Sequence, residues 1–162
     1  MLKIRPATLD DLEPIREIYN DAILNTVTTF DTVPKSPDKQ RLWFGEHAPR
    51  YPVIVAEQDG MVVGWASLSR WSDRPAYDET AEVSVYVAEG HRGKHIGRAL
   101  LEGLIKAGRE GSFHLLVARI VQGSEASIHL HEALGFAHVG ALREAGRKFG
   151  RLLDVTIMQK LL

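Results

Sequence analysis

Between Ala81 and Ala107 the chain runs through an alternating strand, a glycine-rich turn and an amphipathic helix, and this succession limits its folds more than any other segment. Ala81, Val83, Val85 and Val87 share one face of a period-two pattern, while Glu82, Ser84 and Tyr86 share the other. Gly90, Gly93 and Gly97 follow, and from Ile96 onward Ala99, Leu100, Gly103, Leu104 and Ala107 recur at helical spacing. A strand that feeds a helix through such a turn aims backbone N–H groups and a helix N-terminus at one point, which makes an anion cradle. Glycine is useful there because a side chain would keep the anion away from the amides. Arg92, Lys94 and Arg98 add positive charge beside it.

Two familiar phosphate loops fail on the letters. A nucleoside-triphosphatase loop needs Ser or Thr after Gly-Lys, and here Gly93-Lys94 is followed by His95. A dinucleotide-binding turn needs Gly-x-Gly-x-x-Gly with an acidic residue some way on, and neither the spacing nor a suitable strand-helix-strand start is present.

The remaining elements describe one mixed α/β domain over residues 1–162. Leu2 to Arg5 reads as a strand, and Thr8 with Asp11 as a capping box before a helix ending near Asn25. Residues Thr26 to Asp31 read as an extended loop, and Ser36-Pro37 starts a second helix reaching Glu46. Strands Val53 to Glu57 and Met61 to Leu68 flank the hairpin pair Asp59-Gly60. His114 to Val121 has the apolar pattern of a strand buried on both faces, and Ser124 to Leu134 reads as a helix stopped by Gly135. Phe136 to Leu142 and Leu152 to Met158 are the last expected strands, separated by a basic loop from Arg143 to Arg151.

Composition narrows the chemistry. With 20 Lys and Arg against 21 Asp and Glu, the net charge of -1 gives no overall field for nucleic acid or anionic lipid, so any anion site is local. The absence of cysteine excludes thiol nucleophiles, thiolate metal sites and disulfides. No long apolar run opens the chain, so neither a signal peptide nor a membrane span is expected, and the reading is cytoplasmic.

The turn also resembles the acyl-CoA motif of GNAT acetyltransferases, Gln/Arg-x-x-Gly-x-Gly/Ala, through Arg92, Gly97 and, in place of the usual glycine, His95. Further segments in one order resemble the phosphinothricin and methionine-sulfone acetyltransferase group: Ala76-Tyr77-Asp78, Glu82 to Val87, Leu130 to Phe136, and Gly146 to Val155. The resemblance runs over essentially the whole chain. It implies the GNAT fold, a mixed central sheet of about seven strands flanked by about four helices, with acetyl-CoA as co-substrate and no metal.

The same resemblance assigns residues. Pantetheine would lie along Val85, Tyr86 and Val87, with the pyrophosphate on Arg92, Gly93, Lys94, His95, Ile96, Gly97 and Arg98. Ser124 stands where many relatives place a pantetheine-binding asparagine. Glu82 would be the general base and His131 the acid for the departing thiolate, while His129 falls on another helix face. Arg74 and Tyr77 would recognise the acceptor, with Phe30 as the opposite wall. Relatives that take phosphinothricin carry a lysine near Ser72 that this chain lacks, which would leave a second substrate anion poorly held. Family members are often homodimers in which Lys148-Phe149-Gly150 of a neighbour approaches the site. The activity so implied is N-acetylation of a small amino-acid-like amine. The alternatives are acetylation of a protein N-terminus or another amine, and a non-catalytic acyl-CoA sensor.

Overall fold

A computed structural model describes residues 1–47 and 49–162. In chain order the elements are β1 (Leu2–Pro6), α1 (Leu12–Asn25), α2 (Pro37–Glu46), β2 (Val53–Gln58), β3 (Met61–Arg70), β4 (Thr80–Val87), α3 (Ile96–Glu110), β5 (Leu115–Val121), α4 (Glu125–Ala133), β6 (Ala137–Lys148) and β7 (Arg151–Leu161). The strands form one seven-stranded sheet in the order β1-β2-β3-β4-β5-β7-β6. Every neighbouring pair is antiparallel except β4 and β5, which run parallel on either side of α3.

Local chemistry sets the ends of these elements. The Thr8 N–H donates to the Asp11 carboxylate at 2.7 Å, and Arg5 grips the same carboxylate through both terminal nitrogens at 2.7 and 2.9 Å. Ser36 Oγ accepts from the Lys39 N–H at 3.2 Å, with Pro37 in the first turn of α2. Asp59 and Gly60 both take positive φ, the two-residue hairpin geometry that suits the twist of β2 and β3.

Two apolar layers sandwich the sheet. On one face Leu100, Leu101, Leu104 and Ile105 of α3 meet Ile54, Ala66, Leu68, Ala81, Val83, Leu116 and Ala118. Each leucine taken fully out of water there contributes about 1.5–3 kcal/mol before entropy is counted. On the other face Ile15 of α1 packs with Val53, Val55 and Trp65, joined by Tyr19, Trp43 and Tyr86.

One expectation from the sequence fails. Arg143 to Arg151 is not a loop: Gly146, Arg147 and Lys148 pair with Leu153, Leu152 and Arg151, and only Phe149-Gly150 turns the chain. The register shifts between His138 and Gly140 and again between Leu142 and Gly146, with Glu144 at a φ of 53°. Bulges of this kind break the two-residue alternation by which a strand is read. No helix among the described residues is long and apolar enough to cross a membrane.

Candidate active site

The parallel neighbours β4 and β5 are paired only at Thr80–Leu115, Ala81–Leu116 and Glu82–Val117. Beyond Glu82 they separate, while β4 stays in register with β3 as far as Val87. The Ala88 N–H donates to Val63 O at 2.9 Å, which fixes the parity of the strand. Tyr86, Ser84 and Glu82 therefore turn their amides to β3; Val83 adjoins Glu82–Val117, the last rung of the ladder with β5, and Val85 and Val87 turn their amides into the gap. This corrects the expectation for Tyr86. Its backbone belongs to β3, and its ring stacks on Trp65 at 5.0 Å, away from the gap. Burial pushes the Tyr86 phenol up to about 12.

At the end of β4 the chain passes through a short 3₁₀ turn, Glu89–His91, and enters α3. The first helical bond runs from the Ala99 N–H to His95 O, at 3.1 Å. Among the described residues every amide from Gly93 to Arg98 lacks an acceptor, so a run of donors frames one helix N-terminus. Gly93 and His95 both adopt positive φ, at 74° and 62°. His95 thus takes the left-handed conformation that the motif's glycine would take, with its side chain exposed. Around the cradle Arg92 Nε donates to Val87 O at 3.2 Å, Lys94 Nζ to Gly90 O at 3.1 Å, and Arg98 pairs with Glu102 at 2.9 Å. Ile96 contributes its amide to the cradle and its side chain to the core.

Glu82 sits at the last paired position before the gap, on the polar face of β4. It is not free: Arg119 of β5 donates to both its oxygens, Nη2 to Oε1 at 2.7 Å and Nε to Oε2. The hydrogen bond to Glu82 raises the Arg119 guanidinium above its usual range. The Arg119 guanidinium also lies 5.6 Å over the Trp71 ring, in the loop that carries Arg74. Arg119 was not anticipated, although one cation inside the otherwise apolar run Leu115 to Val121 was a readable signal.

On α4, His131 is buried, and its Nδ1 lies 2.7 Å from Ser127 O. A carbonyl only accepts, so Nδ1 carries the proton and Nε2 a lone pair. Among the described residues that Nε2 has no partner, and neither does the buried Ser124 Oγ at the start of the same helix. Burial holds the His131 imidazole below its ordinary range, so the neutral form predominates at neutral pH. A neutral ring of this tautomer presents a lone pair at Nε2, so His131 can pass a proton to a leaving group only after taking one up. His129 is exposed, as expected.

A cavity of about 140 Å³ lies between α1, α2 and the Glu82 face of the sheet. Its floor comes from cross-strand neighbours, Trp65 with Tyr86 and Ser67 with Ser84, and Ser69 beside Glu82. Tyr19, Asp31, Lys35, Gln40 and Trp43 complete the lining. His47 Nδ1 lies 2.7 Å from Trp43 O, so its Nε2 accepts from the Ser69 hydroxyl at 3.0 Å. Phe30 is not part of this wall: it packs with Val121, Leu153 and Val155, over Gly146. Arg74 and Tyr77 are exposed beside a short 3₁₀ turn; the Arg74 N–H donates to Ser72 Oγ at 3.3 Å, and no partner holds its guanidinium among the described residues. Lys148 Nζ is buried within the chain, donating to Thr29 O at 2.8 Å, while Phe149 and Gly150 project at the turn.

A strand that opens a gap beside its parallel neighbour, a donor-lined helix N-terminus at its end and a carboxylate on its outer face define an acyl-CoA-dependent transferase site. Residues 4–157 match the acetyltransferase (GNAT) domain, and the chain belongs to that family. It is 40% identical over 159 residues to the L-amino acid N-acyltransferase MnaT of Escherichia coli, covering 98% of this chain and 92% of that one. It is 42% identical over 158 residues to an L-methionine sulfoximine/L-methionine sulfone acetyltransferase of Pseudomonas aeruginosa, covering 96% and 92%. A GNAT phosphinothricin acetyltransferase from Sinorhizobium meliloti, solved in complex with acetyl-CoA, superposes with a TM-score of 0.96 at 37% identity, covering 99% of this chain and 88% of that one.

Proposed function

We propose that this chain transfers the acetyl group of acetyl-CoA to the α-amine of a small amino acid with a compact neutral side chain, of the methionine sulfone or sulfoximine type. The observation that carries the reading is the unbroken run of unpaired amides from Gly93 to Arg98, at the end of the strand whose Val85 N–H faces the gap. The cradle fits a pyrophosphate, and the unpartnered Ser124 Oγ and His131 Nε2 fit the polar stem that would follow it. Acetyl-CoA supplies the activated acetyl thioester. The Val85 N–H donates to the carbonyl oxygen as it gains negative charge, a contribution of about 3 kcal/mol for such a donor elsewhere.

Glu82 removes the proton from the acceptor ammonium, and the amine attacks directly, with no acyl-enzyme. The C–N bond forms and the C–S bond breaks; the second proton lost by the acylated nitrogen balances the one that the departing thiolate takes up. His131, whose Nε2 carries a lone pair at rest, relays that proton: it takes the proton up at Nε2 and then gives it to the thiolate. Arg74 and Tyr77 close over the acceptor from the exposed loop, and the acceptor side chain enters the cavity lined by Ser67, Ser69 and Ser84. The chain acts in the cytoplasm as a homodimer. The long outer strand β6, which exposes Val139 and Leu142, supports a second copy against this edge.

The deciding experiment measures CoA release with acetyl-CoA against a panel of amino acids, sulfone and sulfoximine analogues, phosphinothricin and peptides. Methionine sulfone and its sulfoximine turn over best, and Glu82→Gln lowers kcat by about 100-fold or more while leaving acetyl-CoA affinity unchanged. Tight acetyl-CoA binding without release for any acceptor would replace the enzyme by a sensor.

A further inference from the structure

The base proposed above does not stand alone. Glu82 spends a lone pair of each oxygen on the fork of Arg119, and its side chain is 18% exposed against 54% for the arginine. The two parallel charge-assisted bonds occupy the carboxylate and hold it facing the guanidinium. Arg119 lies two residues beyond Val117, the β5 partner of Glu82, and so on the same face of the sheet, where the two strands separate. It has a second support in the Trp71 ring at 5.6 Å, which a guanidinium keeps after leaving a carboxylate.

An α-amino acid presents a carboxylate and an ammonium on adjacent atoms, the mirror of the charges that Glu82 and Arg119 present to each other. We propose that this ion pair is the receptor for the acceptor's zwitterion: the α-carboxylate replaces Glu82 in the fork of Arg119, and the released Glu82 receives the ammonium. One ion pair becomes two, no net charge enters the site, and neither protein charge is left unpaired. A simple amine makes the exchange less readily, because taking Glu82 from Arg119 leaves the guanidinium only the Trp71 ring and solvent. Glu82 is then delivered to its proton most readily when the acceptor carries a carboxylate. Arg119 is thus a carboxylate-binding residue that controls the base, and the zwitterion is selected before any side-chain contact. The inference rests on the acetyl-transfer reading.

The test pairs Arg119→Gln with two acceptors, methionine sulfone and its α-carboxamide. Wild type favours the acid by about 10- to 100-fold in kcat/KM, less than a fully buried unmatched group would give, because the Arg119 side chain is half-exposed. In Arg119→Gln the acid loses about that factor, mainly through KM, while the carboxamide, which now meets an unpaired Glu82, gains several-fold in kcat. The preference collapses toward unity, and Arg119→Lys, which keeps charge without the fork, falls between. Acetyl-CoA affinity and thermal midpoint report that the variants are folded. Equal losses on both acceptors would overturn the proposal and make the pair structural. Calorimetric titration of acetyl-CoA-loaded protein with methionine sulfone separates the two readings. A wild type that binds it but releases no CoA would refute transfer alone, whereas Arg119→Gln binding it as tightly as wild type would refute the exchange.

Discussion

Replacing His95 by glycine tests whether the cofactor turn is shaped by its backbone or by its side chain. His95 is held at φ 62° and ψ 10°, directly before the first residue of α3, with its side chain exposed. Left-handed backbone costs an L-residue roughly 1–2 kcal/mol. Glycine escapes that cost but loses about 0.5–1 kcal/mol more in freedom on folding. The net gain for His95→Gly lies between about 0 and 1.5 kcal/mol, centred on about 0.75, a rise in melting temperature of about 2–3 °C at that centre for a domain of this size. The comparison needs His95→Asn and His95→Ala as well. Asparagine tolerates this region better than most residues, while alanine suffers as histidine does. The expected order of midpoints by differential scanning calorimetry is Gly, then Asn, then Ala together with wild type. Because the donors are amides, acetyl-CoA affinity should move by less than about threefold across the series. An alanine variant more stable than the glycine one would refute the backbone account, and a large affinity loss in all three would show that the imidazole itself binds.

Gly146→Ala would place a methyl 2.3 Å from the Phe30 ring. It should destabilise the fold by about 1–3 kcal/mol in urea titration and open residues 26–31 to proteolysis. His47 and His131 are both held below their ordinary value of 6.5, by burial first. The unfolded chain then binds more protons just below that value, so their share of stability is complete above it and is lost as pH falls toward the folded values. The urea midpoint should drop between pH 7 and pH 5, and a constant midpoint would contradict their burial as neutral rings. Ser84→Leu, which fills the cavity beside Glu82, should raise the KM for methionine sulfone about tenfold and leave the KM for acetyl-CoA within about twofold.

The amides of the cradle were legible because the strand, glycines and helix that aim them are contiguous, and contiguous segments write their geometry in period and turn chemistry. Helix α2, with Ser36 as cap and Pro37 in its first turn, was read to its last residue for the same reason. The β6–β7 hairpin was not. Its bulges put successive side chains out of phase, and the outer strand faces solvent along nearly its whole length, so burial left no alternating mark.

What the sequence determined by itself is the strand, turn and helix from Ala81 to Ala107, the family to which that order belongs, and which residues carry charge beside the turn. What only the tertiary structure decided is how those residues meet. Parity against β3 turns Val85 into the gap and Tyr86 away from it, a hydrogen bond to Ser127 chooses the His131 tautomer, and Arg119 closes on Glu82 across 37 residues. Local propensity and spacing act within a few residues. A hydrogen bond, a tautomer or an ion pair is settled by whatever the folded chain brings within about 3 Å, and no periodicity records that.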